Sequence, residues 1–173
     1  MKIKVRPEAR SESEIITQIN DMAFGREDEG ILVNSLKKRL EFIPELSLIA
    51  LFGDQPVGHL LLFPVTIKGE SSNYKTLSLA PMSVMPEFQG LGIGSELINT
   101  GLAKAKELGF KSVVVLGHAN YYPKFGFTPA SAWKITCPFE APDENFMALE
   151  LMEGALKGKS GIVEYPNDFF KLG

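Results

Sequence analysis

A single cysteine, Cys137, stands in a chain of 173 residues. That excludes any disulfide within the chain, and so thiol-poor a composition favours a reducing compartment. With two histidines besides, no metal-ligand spacing arises, and no metal is expected. Free cysteines are among the most buried residue types, so Cys137 is expected in a buried strand rather than as a nucleophile. Neither sign of charge dominates: 18 Lys and Arg face 21 Asp and Glu, a formal charge of -3. A global attraction for nucleic acid or anionic membrane is thereby excluded, and neither is an expected partner. Long hydrophobic runs are missing too. "LSLIALF" and "HLLLFPV" fall far short of the ~20 apolar residues that span a bilayer. The opening "MKIKVRPEAR" has no apolar stretch of signal-peptide type, so a cytoplasmic protein is expected.

What remains is an ordinary globular balance, 45% hydrophobic and 23% charged. The length suits one domain over 1–173, with 153–173 packed on it as a C-terminal extension. Ile3 and Val5 alternate with charges, as in a half-buried strand. "SESEIITQINDMAF" opens with cap residues and repeats Ile15, Ile16, Ile19 and Met22 at helical spacing. "ILVNSLKKRLEFI" continues as a second amphipathic helix, closed by Pro44. Three apolar runs follow, the first two joined through Gly53 and Asp54, and read as consecutive antiparallel strands. A helix over 94–108 stops at Gly109, and "KSVVVLG" has the apolar character of a strand buried on both faces. The unit from Leu77 to Gly117 is then strand, turn, helix, strand, with parallel strands and a right-handed crossover. "FGFTPASAWKITCPF" and "NFMALELME" read as a closing strand pair. Gly161–Tyr165 has strand character, and Phe169 and Phe170 would anchor the tail.

The turn inside that unit, "EFQGLGIGSEL", places Gly90, Gly92 and Gly94 on alternate positions before the helix. A helix start offers unpaired N–H groups and the positive end of the dipole, and glycines let a ligand come close. Together they suit a phosphate; a tight turn that binds nothing is the other reading. Two nucleotide patterns fail. No glycine completes G-x-G-x-x-G, and no GK[ST] ends a P-loop, which argues against an ATP-binding regulator.

Gln89, Gly92 and Gly94 do supply Q-x-x-G-x-G after the strand ending "SVMPEF", and about thirty residues on comes "ANYYPKFGF". With these two segments in order, the sequence resembles the GNAT superfamily of N-acetyltransferases, closest to its YhbS-like branch. The likeness extends over nearly the whole chain. It implies an α/β (α+β) fold: a mixed, mostly antiparallel central sheet, one parallel strand pair splayed at an acetyl-CoA slot, and helices on both faces. It also implies acetyl-CoA as acetyl donor, with the diphosphate held by amides of Gln89, Gly90, Leu91, Gly92, Ile93, Gly94 and Ser95. Gln89 stands where the family often has arginine, so binding would lean on N–H groups more than on charge. The backbone at Met82, Ser83, Val84 and Met85 would pair with the pantetheine arm. Pro81, lacking an N–H, is expected to bulge that strand away from "KSVVVLG".

The reaction implied is acyl transfer from a thioester to an amine of a small molecule or peptide. By the same resemblance Tyr122 is the general acid and Tyr121 fills the aromatic position before it. Asn120 would bond the pantetheine arm or cap a short helix. A backbone N–H near Met82 or Ser83 would serve the oxyanion. Many family members carry a carboxylate on the strand before the loop, and "TLSLAPMSV" has none. His59 and His118 are the candidates to relay the proton through water, against the plainer reading of hydrogen-bonded core histidines. Lys124 could reach a phosphate or remain solvated. A homodimer is among the assemblies the resemblance allows. The competing function is a non-catalytic acyl-CoA sensor or partner protein.

Overall fold

The alternation at Ile3 and Val5 becomes strand β1, Ile3–Pro7, in the computed structural model, which describes residues 2–171. Helix α1, Ser13–Phe24, buries Ile16, Ile19 and Asn20. It ends at Gly25, whose left-handed φ of 67° lets its N–H return to the Asp21 carbonyl. Helix α2, Asp28–Leu36, is shorter than the expected stretch. Leu36 is buried, whereas Leu40, one turn on, is fully exposed and gains nothing from a continued helix. The backbone tightens instead to i+3 bonds, Lys38 to Ser35 at 3.2 Å and Arg39 to Leu36 at 3.0 Å. Pro44 then keeps Ile43 out of the helical region, at φ −113°, ψ 108°.

Strands β2, Ser47–Phe52, and β3, Gln55–Lys68, form a hairpin around Gly53 and Asp54. Then come β4, Asn73–Val84, and α3, Ile93–Glu107. β5, Ser112–Leu116, is buried from Ser112 to Val115. The expected closing pair is built differently. "FGFTPASAWKIT" holds two strands of two residues each, β6 (Thr128–Pro129) and β7 (Ile135–Thr136). A 3-10 turn, Ala130–Trp133, and Lys134 at φ 58° break the extended run between them. Cys137 lies beyond β7, partly buried and outside any strand, with its thiol 3.4 Å from the Phe139 carbonyl. Its short strand ends one residue too soon to include it. β8, Phe146–Glu150, and β9, Gly161–Glu164, complete the strands among the described residues.

The chain forms two compact units, and β3, β4 and α3 each run from one into the other. The first unit gathers the residues up to Phe63, Ala80–Lys104 and those from Asn167 onward. In it β1 pairs antiparallel with β2 and β2 with β3, with a register shift at Ala50 and Leu51. Its core joins Ile16, Leu32, Val33 and Leu36 of the two helices to Ile49, Leu61 and Phe63 of the strands. Each such side chain contributes roughly 1.5–3 kcal/mol by leaving water. Helix α3 packs against the strands at Gly101, where an added Cβ would stand 2.6 Å from Leu60. Phe169 packs against the core, and Phe170 is half-exposed rather than an anchor. Asp168 is held by Ser35 and Arg39, the guanidinium keeping its carboxyl low, at about 2.

In the second unit β4 pairs parallel with β5 at Leu77–Val113 and Ser78–Val114. β8 pairs antiparallel with β5 and with β6. β9 runs antiparallel to the end of β3 and parallel to β7. Thr76 and Ser112, both buried, satisfy each other's hydroxyls at 2.8 Å.

Candidate active site

The C-terminal part of β4 buries Pro81 and Ser83 and leaves Met82 and Val84 partly open, and Met85, just past the strand, is buried. The Ala80–Pro81 peptide is cis. The Met85 N–H already donates to the Val57 carbonyl at 2.8 Å, so it is not free for a ligand. A 3-10 turn, Pro86–Phe88, follows, and Phe88 rests on Phe52 with ring centroids 5.6 Å apart. The Gln89 side chain turns back and donates to the Val84 carbonyl at 3.0 Å, bracing the turn from within.

Gly90 and Gly92 take left-handed φ values of 79° and 86°. A Cβ added at either would meet nothing within 4 Å. Both glycines are therefore required by conformation and not by crowding, and they face open space. Gly94 differs: it lies inside α3 without a left-handed φ. The first backbone bond of α3 runs from the Glu96 N–H to the Gly92 carbonyl at 3.1 Å. The amides of Ile93, Gly94 and Ser95 precede that bond and have no carbonyl a turn behind them. An exposed turn, two open glycines and a fresh helix start fit a diphosphate.

A second feature of this first unit was not visible as a motif. Ser83 Oγ donates to Asn20 Oδ1 at 2.9 Å, and Asn20 Nδ2 donates to the Ile16 carbonyl at 3.0 Å. The same amide lies 3.3 Å from His59 Nδ1. His59 Nε2 lies 3.0 Å from Ser47 Oγ, which donates to Glu8 at 2.5 Å. Glu8 also receives Lys37 at 2.7 Å. Asn20, Ser47, His59 and Ser83 are all buried. Burial, with Lys37 nearby, pushes the imidazole down to about 3, so His59 is neutral. The expectation of a water-relaying His59 meets a ring with both nitrogens engaged by protein groups. The signal that could have exposed this cluster is Asn20, a polar residue on the Ile16–Ile19 face of α1.

In the second unit, the turn after β5 carries the tyrosine segment. The His118 carbonyl accepts the N–H of Tyr121 at 3.1 Å and of Tyr122 at 3.4 Å. A 3-10 turn, Tyr122–Phe125, ends at Gly126, whose φ is 102°. Tyr122 is 8% exposed and meets the edges of Tyr121 and Phe127 at 5.2 and 5.7 Å. Burial first, and Tyr121 second, push its phenol up to about 12. His118 and Asn120 are exposed. Lys124 lies over the Tyr121 ring, 4.1 Å from its centroid. Among the described residues no group of three His, Cys, Asp or Glu could hold a metal ion, and no helix is long and apolar enough to cross a membrane.

A mixed sheet with a parallel β4–β5 pair, and a glycine turn feeding α3 directly from β4, define an acetyltransferase architecture. Residues 14–127 match the acetyltransferase (GNAT) family, and the chain belongs to it. The sequence is 39% identical over 137 residues to YjhQ of Escherichia coli K12, an uncharacterized N-acetyltransferase; 79% of this chain and 76% of that one are covered. It is 30% identical over 148 residues to the uncharacterized N-acetyltransferase YhbS of the same organism, with 85% and 86% covered. The crystal structure of E. coli YhbS in complex with CoA superposes with a TM-score of 0.92 at 26% identity, over 100% of this chain and 94% of that one. A GNAT acetyltransferase of Brucella melitensis in complex with acetyl-CoA gives 0.78 at 30%, over 97% and 98%. The protein is thus an acetyltransferase with the mixed α/β fold of its family.

Proposed function

We propose that this chain transfers an acetyl group from acetyl-CoA to a primary amine of a small molecule or peptide. The observation that carries the reading is the exposed Gly90–Gly92 turn at the start of α3, open where a side chain would otherwise intrude. Amides from Gly90 to Ser95 receive the diphosphate, the Gln89 N–H being turned back to the Pro86 carbonyl at 3.4 Å, and the main chain at Met82–Val84 receives the pantetheine arm. Two similar structures are complexes with CoA and with acetyl-CoA, which supports acetyl-CoA as the donor. A backbone N–H near Met82 or Ser83 serves the oxyanion.

Acetyl-CoA supplies an activated acyl group as a thioester. A lysine-like amine, with a pKa near ~10.4, must first lose a proton. Of the two histidines, the exposed His118 can pass that proton to solvent, while His59 keeps its place in the buried chain. The amine nitrogen bonds to the carbonyl carbon, the carbon–sulfur bond breaks, the sulfur receives the Tyr122 proton, and the second proton released by the nitrogen restores the phenol through solvent. A phenol at about 12 stays protonated at neutral pH. Full transfer to an ordinary thiolate, near ~8.5, runs uphill. Tyr122 therefore acts first as a hydrogen-bond donor, and the transfer completes as desolvation raises the thiolate.

A screen of thiol release from acetyl-CoA against amines, peptides and protein N-termini tests this reading, with thermal shift by CoA as binding control. Turnover with at least one amine is expected. CoA binding with no turnover on any amine would reverse it in favour of a sensor.

A further inference from the structure

The hydrogen bonds through His59 have one direction. Asn20 Nδ2 can only donate, so His59 Nδ1 accepts and His59 Nε2 carries the proton. Nε2–H then donates to Ser47 Oγ, and the Ser47 hydroxyl donates to the Glu8 carboxylate. At the other end Asn20 Oδ1 accepts the Ser83 hydroxyl. The orientation of the Asn20 amide is fixed independently, because its second N–H is taken by the Ile16 carbonyl. Four donors in sequence thus point from Ser83 to Glu8, and Glu8 is itself held by Lys37, which also donates to Ser13 at 2.9 Å. Each link polarises the next in a buried, low-dielectric setting. The line crosses β4, α1, β3 and β2 and ends between β1 and α1, joining residues that no local motif connects.

An amide in the middle rules out a proton wire, since Asn20 cannot pass a proton along without becoming an unstable tautomer. What such a line can do is fix geometry. Ser83 lies between Met82 and Val84, in the stretch assigned to the pantetheine arm. Its main chain is also confined from below: a Cβ at Gly58 would stand 3.1 Å from the Ser83 carbonyl oxygen. We propose that Asn20, His59 and Ser47 are positioning residues that lock the β4 main chain at Ser83 for the pantetheine arm of CoA. This rests on the acetyl-CoA reading above and deepens it. The lock acts on the arm and leaves the diphosphate turn at 89–95 untouched.

Two probes separate the arm from the turn: CoA, and adenosine 3′-phosphate 5′-diphosphate, which lacks the arm. Calorimetry on the full chain, well below each variant's melting temperature, compares wild type, His59→Leu, His59→Gln and Ser47→Ala. The terminal amide of glutamine can accept from Asn20 and donate to Ser47, as the imidazole does. The expected result is at least tenfold weaker CoA binding by His59→Leu and Ser47→Ala, with the arm-less probe unchanged and His59→Gln close to wild type. Equal CoA binding by wild type and the broken-chain variants overturns the proposal, as does a parallel loss of both probes. If His59→Leu does not fold, Ser83→Ala, which removes only the first donor of the line, carries the same comparison. A wild type that binds the arm-less probe and CoA equally overturns the lock but not the cradle. One that binds neither overturns the acetyl-CoA reading and the lock with it.

Discussion

His59 and Tyr122, one in each compact unit, are both buried and both kept neutral, yet by different company. Burial lowers the imidazole to about 3 and raises the phenol to about 12. The cause is one and the directions are opposite, because the charged form is the protonated one for histidine and the deprotonated one for tyrosine. The surroundings then part. His59 has protein partners on both ring nitrogens, so its proton is committed. Tyr122 is walled by ring edges, with Gly117 so near that an added Cβ would stand 2.4 Å from its Cε2. A titratable group walled by hydrogen bonds holds structure in place; one walled by apolar edges keeps a proton that it can still give.

The largest test of that contrast is Tyr122→Phe, which keeps the ring and removes the proton. Acetyl transfer should fall by about 10²- to 10⁴-fold while CoA affinity stays within twofold. Unchanged turnover would make Tyr122 a packing residue. Next comes acid stability. An unfolded histidine, near 6.5, binds a proton that the folded His59 refuses until about 3. The unfolded state thus holds more protons across that window, and stability falls as pH drops from 6.5 towards 3, by several kcal/mol in all. Urea unfolding of His59→Gln should show a flatter slope over the same range.

The tyrosine gives the mirror image at smaller size. Between pH 10 and about 12 the unfolded phenol loses a proton that the folded one keeps, so stability falls as pH rises. The contribution is roughly 3 kcal/mol at ~1.36 kcal/mol per unit. It should vanish in Tyr122→Phe, while Tyr165, also raised by burial, contributes equally to both proteins. Last is Gly117→Ala, which forces the Tyr122 ring to shift and should cost about 1–3 kcal/mol by overpacking. Thermal unfolding measures it, and a larger loss of acetyl transfer than of stability would mark the ring's position as chemically important.

Much of this was legible in residues close together in sequence. Apolar spacing placed α1 and α3, Gly53 and Asp54 placed the hairpin, and the run from Gln89 to Ser95 stood out by its glycines. The division into β6 and β7 escaped because the turn at Ala130–Trp133 breaks the run and each strand finds partners at only two positions. The end of α2 escaped because Leu40 continues the pattern where there is no core to receive it. His59 was visible as a histidine among apolar residues, but its setting was not. Its partners are Asn20 and Ser47, which in turn hold Ser83 and Glu8, so their meeting is a property of the fold and of no sequence window.

The unit that holds the glycine turn is assembled from three separated stretches, the last of them beginning at Asn167. A ribosome delivers these in order, so the nascent unit must wait, with Ile16, Leu36 and Phe63 lacking their Phe169 neighbour and Arg39 lacking Asp168. Maturation of this protein during synthesis is therefore expected to finish late and at once.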